Sequence, residues 1–121
     1  MNDKHILVID DEGIILFSIR EDLEDEGYII DTARSGEEGI EKLKAKEYDL
    51  IITDLIMSPK DGFDVIDEVI KLNCEAKIIV MTGYMGDDSI KETLKPSISI
   101  VMKPFSREEL IEKVRNCLMD N

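Results

Sequence analysis

The chain has 121 residues, 43% apolar and 36% charged, enough for one core beneath a heavily charged surface and too short for two domains of ordinary size. Its 15 basic residues against 28 acidic ones leave a net charge of −13, which repels nucleic-acid backbones and anionic bilayers and argues against direct binding to either. No apolar run approaches the roughly 20 residues that span a bilayer. The charged start Met1-Asn2-Asp3-Lys4-His5 is unlike a signal peptide, and two widely separated cysteines, Cys74 and Cys117, suit reduced thiols in the cytoplasm.

Short apolar runs alternate with longer amphipathic segments along the whole chain. Residues 5–10 (HILVID) read as a first strand, followed by a helix over residues 13–26 that Gly27 closes in a left-handed position. Residues 28–33 (YIIDTA) read as a second strand, and Ser35-Gly-Glu-Glu38 opens a second helix with the spacing of a capping box. Residues 49–54 (DLIITD) form a third strand, before a third helix over residues 63–72 that places Val65, Ile66, Val69 and Ile70 at helical spacing. Residues 77–82 (KIIVMT) form a fourth strand. A fourth helix over residues 87–94 stops before Pro96, whose ring forbids continuation and disfavours helical geometry at Lys95. Residues 98–103 (ISIVMK) form the fifth strand, and Ser106-Arg-Glu-Glu109 caps a last helix that ends near Leu118.

Strict alternation of this kind predicts an α/β fold: a doubly wound, five-stranded parallel sheet with right-handed crossovers. The common order for five strands is 2-1-3-4-5, the flavodoxin-like arrangement, with ligands bound outside the carboxyl ends of the strands where the order reverses, between strands one and three. Those ends carry Asp10-Asp11-Glu12 on strand one, Asp54 on strand three, Thr82 on strand four and Lys103 on strand five. Strands one and four flank strand three at about 4.8 Å, so short side chains there come near Asp54, while strand five lies roughly 10 Å away and needs a long one. Lys103 is that long side chain. Strand two ends in Ala33-Arg34-Ser35 and is expected to contribute no comparable group.

Carboxylates crowded on one rim raise one another's pKa unless a cation neutralises them. All-oxygen donors favour Mg²⁺, which accepts two carboxylates and a backbone carbonyl and keeps several waters. The absence of His and Cys near these positions argues against zinc. A carboxylate is also a nucleophile toward phosphorus, with Lys103 and Thr82 placed to hold phosphoryl oxygens. No GxxxxGK loop is present, so the donor is expected to be another protein or a small phosphate rather than a bound nucleotide. Taken singly, each feature has a plain structural reading: Asp-Asp as a helix cap, Thr82-Gly83 as a turn, Lys103-Pro104 as a strand end. Their joint placement on one rim is what points to chemistry.

With these residues in place, the whole chain resembles the receiver domain of two-component response regulators. ILVIDDE, DLIITDLIM, IIVMTGY and IVMKPF look like that family's motifs in order and spacing. The resemblance implies phosphorylation of Asp54 by a histidine kinase or phosphotransfer protein. It further implies Asp11 as a direct Mg²⁺ ligand, Asp10 acting through water, the Ile56 carbonyl completing the metal site with Asp54, Thr82 as switch hydroxyl and Lys103 as phosphoryl-binding cation. It implies a cis Lys103-Pro104 bond, and partners or a second copy of the chain on the face formed by the fourth helix, fifth strand and fifth helix. One receiver unit over residues 1–121 is expected, with no effector domain. Its output then passes through a docked protein or, in a longer regulator, through a C-terminal effector.

Three departures from the family pattern stand out. Ser58 precedes Pro59 in the loop after Asp54, Ile100 stands where many receivers have Tyr or Phe, and Leu94-Lys-Pro-Ser-Ile98 lacks an Ala-Gly pair. Ile100 predicts switching through the Thr82 loop and fourth helix without aromatic gating. Ile56 and Tyr84 flank the expected phosphoryl position, where bulk that hinders water predicts a long-lived phosphorylated state, as against simple packing. His5 is placed on the opposite rim, outside any relay. Cys74, Cys117 and the methionines Met57, Met81 and Met102 read as packing or loop residues.

Two other functions compete. A Mg²⁺-dependent phosphatase with an Asp nucleophile usually needs a second Asp two residues on, where this chain has Ile56. A binding module that kept the fold without phosphorylation is disfavoured by the joint presence of Asp11, Asp54, Thr82 and Lys103.

Overall fold

The computed structural model of the chain describes residues 4–54, 67–68, 71–72, 76–83 and 98–119. Strands β1 (His5–Ile9), β2 (Ile29–Ala33), β3 (Leu50–Asp54), β4 (Lys77–Thr82) and β5 (Ser99–Met102) pair in parallel in the order β2-β1-β3-β4-β5. Both the sheet order and the flavodoxin-like architecture anticipated from the sequence are therefore present. Strand limits differ from the expected ones by no more than one residue at either end.

The strands are apolar in consecutive runs because both faces of the sheet are covered. On one face Leu7, Ile9, Ala33, Ile51 and Val80 pack with Ile40 and Leu43 of helix α2 (Gly36–Ala45). On the other, Ile6, Val8, Ile30, Leu50, Ile52, Ile79 and Met81 pack with Leu16, Ile19 and Leu23 of helix α1 (Gly13–Asp25), and with Leu110 and Val114 of the C-terminal helix (Arg107–Met119). Successive residues of β1 thus serve opposite faces, as the pleat requires.

Helix ends follow their sequence signals. Past the C-cap Glu26, Gly27 has φ 96°, its amide bonds to the Glu24 carbonyl at 3.0 Å, and the Tyr28 amide bonds to Leu23 at 3.2 Å. This is a Schellman motif, with Leu23 and Tyr28 buried in the same cluster as its usual apolar clasp. α1 ends one residue before the expected limit, at Asp25. Ser35 accepts from the Glu38 amide at 3.1 Å, and Ser106 accepts from the Glu109 amide at 3.1 Å. Only at Ser106 is the box reciprocal, Glu109 accepting from the Ser106 amide at 3.3 Å, whereas Glu38 accepts instead from the Arg34 amide at 2.9 Å. At Gly39 a Cβ would overlap Ile9, so glycine lets α2 approach β1.

Of the expected third helix, Asp67, Glu68 and Lys71 are helical and the Leu72 amide bonds to the Glu68 carbonyl at 2.9 Å. The remainder of that helix, the whole expected fourth helix, Ile56, Met57, Ser58, Cys74, Tyr84 and Pro96 lie outside the described residues. No helix among the described residues is long and apolar enough to cross a membrane.

Candidate functional site

At the carboxyl edge of the sheet, β1 ends at Ile9 and the next residue, Asp10, is fully buried. Its Oδ1 accepts from the Glu12 amide at 2.9 Å. That local turn sends Asp11 and Glu12 outward, where both are exposed. The reading of Asp-Asp as a helix cap fails here: Glu12 occupies the N-cap position of α1 without a side-chain cap bond. Asp54 is the last residue of β3 and Thr82 the last of β4, each buried.

Lys103 joins these strand ends. Its amide donates to the Thr82 carbonyl at 2.8 Å, extending the β4–β5 ladder by one bond. From there its ammonium lies 3.0 Å from Asp10 Oδ2 and 3.0 Å from Asp54 Oδ2. The Lys103-Pro104 bond is cis. The structure therefore brings together Asp10, Asp54 and Lys103 through side chains and Thr82 through its backbone, and places Asp11 beside Asp10. Ile56, the expected backbone ligand, lies outside the described residues.

Electrostatics follow from burial. Loss of solvent around Asp10 pushes its carboxyl above the ordinary carboxylate range, and the Glu12 amide and Lys103 offset this only in part. Burial alone would lower the Lys103 ammonium, but its hydrogen bonds to Asp54 and Asp10 outweigh that and hold it above the usual lysine value. The cation stays charged at neutral pH.

Asp10, Asp11 and Glu12 offer carboxylate oxygens within 4.8 Å of one another. Such a donor set suits a hard, hydrated divalent ion. Both oxygens of Asp10 are already engaged, by the Glu12 amide and by Lys103, so the free oxygens of the cluster are those of Asp11 and Glu12. Glu12 was legible in the Asp-Asp-Glu run, yet only the turn made by Asp10 shows that all three acids share one locus. No hydrogen bond or ion pair between a residue of β2 or Arg34 and the side chains of Asp10, Asp54 or Lys103 is present among the described residues. Arg34 follows directly on β2, and a methyl on Gly13 would sit 3.6 Å from its guanidinium carbon, so the side chain lies over the start of α1.

Residues 6–115 match the family model for the response regulator receiver domain. The chain belongs to that family. The receiver domain is 28% identical to the chemotaxis protein CheY of Halobacterium salinarum, over 95% of this chain and 97% of that protein. It is 34% identical to the transcriptional regulatory protein ResD of Bacillus subtilis, over 97% of this chain but 49% of that protein. A CheY-like receiver domain protein from Methanospirillum hungatei, 29% identical, superposes with a TM-score of 0.90, covering 98% of this chain and 96% of that one. The receiver domain thus spans nearly all of one relative and about half of another. Receiver domains are phosphorylation-regulated signalling switches, and this chain is one of that family.

Proposed function

We propose that this receiver domain is switched by phosphorylation of Asp54, supplied by a histidine kinase or histidine phosphotransfer protein. The observation that carries the proposal is the Lys103 ammonium, 3.0 Å from carboxylate oxygens of both Asp10 and Asp54, on a backbone bonded to Thr82. An Asp54 oxygen attacks phosphorus. The new O–P bond forms as the bond from phosphorus to the donor's nitrogen or oxygen breaks, and that electron pair leaves with the donor. Lys103, already charged and aimed at Asp54, moves onto a phosphoryl oxygen, and the Thr82 hydroxyl donates to another.

Mg²⁺ bound at this edge would neutralise charge on the phosphoryl oxygens. Asp11, Asp54 and the Ile56 carbonyl are the proposed direct ligands, with Asp10 acting through water, in keeping with its two engaged oxygens, and Glu12 adding a further acid. The phosphorylated state biases a two-state domain that a protein partner, a second copy of the chain or a linked effector domain reads. One receiver unit over residues 1–121 and a cytoplasmic setting complete the proposal.

The test is incubation with Mg²⁺ and acetyl phosphate followed by intact mass spectrometry. One phosphoryl group per chain is expected, absent from Asp54→Asn and blocked by chelation. Continuous phosphate release over many turnovers would support a phosphatase instead, and no adduct would support a binding module.

A further inference from the structure

β3 reads Leu-Ile-Ile-Thr-Asp, so Thr53 is the polar residue that interrupts its apolar run just before Asp54. Parallel pairing sets it beside Ile9 of β1 and Val80 of β4, and the pleat puts its side chain on the face shared with Ile51, two residues earlier. Ile9, Ile51 and Val80 all belong to the core cluster beneath α2. Thr53 is fully buried there, in a place where valine has the same shape and carries no hydroxyl to desolvate. A hydroxyl taken from water into such surroundings is unfavourable unless it is bonded.

The hydroxyl is bonded, and its acceptor is the carbonyl of Asp54 at 2.9 Å. Asp54 is thereby held at two points: its carboxylate meets the Lys103 ammonium at 3.0 Å, and its backbone meets Thr53. The two holds fare differently during phosphoryl transfer. In the proposed reaction Lys103 turns from the Asp54 carboxylate to a phosphoryl oxygen, so the side-chain hold is given up as the O–P bond forms. The Thr53 bond is buried, runs to the main chain and uses no atom that reacts, so it persists throughout. Such a hold matters, because misplacing a reacting group by about 1 Å costs up to about a hundredfold in rate.

We infer that Thr53 is a positioning residue for Asp54: its hydroxyl, donated to the Asp54 carbonyl from within the α2-side core, sets the direction in which the carboxylate leaves the end of β3. The inference rests on the proposed phosphorylation of Asp54 and adds to it a residue that acts through the backbone of the nucleophile.

The experiment measures the rate constant for phosphorylation of the full chain by acetyl phosphate at saturating Mg²⁺, together with the melting temperature, in wild type, Thr53→Val, Thr53→Ser and Thr53→Ala. Two pairs isolate the hydroxyl: wild type against Thr53→Val, at full side-chain volume, and Thr53→Ser against Thr53→Ala, at reduced volume. In each pair the member with the hydroxyl is expected to react about tenfold faster. Stability should follow volume instead. Thr53→Ser and Thr53→Ala lose a buried methyl and melt below wild type, whereas Thr53→Val melts close to it. Thr53→Ser is thus expected to be less stable than Thr53→Val and yet faster, an inversion that a role in packing alone does not produce. If a variant of one pair fails to fold, the other pair decides. Equal rates within a folded pair overturn the inference, as does a Thr53→Ser variant as slow as Thr53→Val. A wild type that takes no phosphoryl group overturns the proposed function and the inference together, whereas a phosphorylated wild type with equal rates within the pairs overturns the inference alone.

Discussion

Asp10 is held in the fold against its electrostatic preference. With its carboxyl pushed above the ordinary range by burial, the ionised form is less favourable in the folded chain than in the unfolded one. That penalty is fully present above the folded pKa and vanishes as pH falls below the ordinary aspartate value of about 3.9. In chelator at neutral pH, Asp10→Asn is therefore expected to raise stability by about 1 kcal/mol, a gain that disappears on acidification. Urea titrations at two pH values check it. Lys103→Ala should act in the opposite sense. It leaves two adjoining carboxylates without their shared cation and should cost about 2 kcal/mol in chelator, partly restored by Mg²⁺.

Asp31 shows the reverse sign. Burial would raise its carboxyl, but the Tyr48 hydroxyl at 2.8 Å and Lys46 at 3.0 Å prevail and hold it below the ordinary range. Its contribution is present above the ordinary aspartate value of about 3.9 and is lost as pH falls through the folded pKa. Acid unfolding of Asp31→Asn should accordingly be shallower below that value. Tyr48→Phe, which removes one hydrogen bond, is expected to cost about 1 kcal/mol. An acid limb identical to wild type in Asp31→Asn would contradict this.

Between elements, two glycines fix how helices meet the sheet. Gly27, at φ 96°, ends α1 so that Tyr28 turns back onto Leu23. Gly39 admits α2 against Ile9. Alanine at either position should cost about 1 kcal/mol, the first through backbone strain and the second through overpacking. Chemical denaturation of the two variants measures both, and their additivity tests independence, since the two positions serve different cores.

Element boundaries were readable in the sequence because the chain states them locally. Gly27, Ser35 and Ser106 act within a few residues, and the consecutive apolar runs needed only length and periodicity to become strands. The rim residues were readable for a related reason: Asp10, Asp54, Thr82 and Lys103 each end or directly follow an apolar run, and the strand order does the rest. What escaped is the Asp10 side chain folding back on the Glu12 amide, which turns Asp11 and Glu12 outward at the start of α1. No spacing rule encodes such a contact. The aromatic gate expected to be missing at Ile100 has a counterpart in packing, for Ile100 is half-buried against the α2-side core. Its part in switching is still a proposal.

Across the whole molecule, charge is distributed unevenly between adhesion and repulsion. Arg107 and Arg115 of the C-terminal helix reach Asp22, Asp25 and Glu26 near the end of α1 at 3.1 to 3.6 Å, and such exposed pairs contribute little each. The net charge of −13 works against compactness over the entire surface. Moderate salt should therefore stabilise the domain, because screening the general repulsion outweighs the weakened pairs. A melting temperature that falls between about 20 mM and about 300 mM NaCl would show the pairs to dominate.

The bond from the Lys103 amide to the Thr82 carbonyl makes a built-in reporter. Lys103 and Thr82, the residues proposed to hold the phosphoryl oxygens, share one hydrogen bond, so neither relocates without altering the other's electronic surroundings. A single nitrogen-labelled backbone resonance, that of Lys103, would then register the state of the whole edge. Its frequency in partly phosphorylated samples would yield the fraction switched without any label on the phosphoryl group or on a partner.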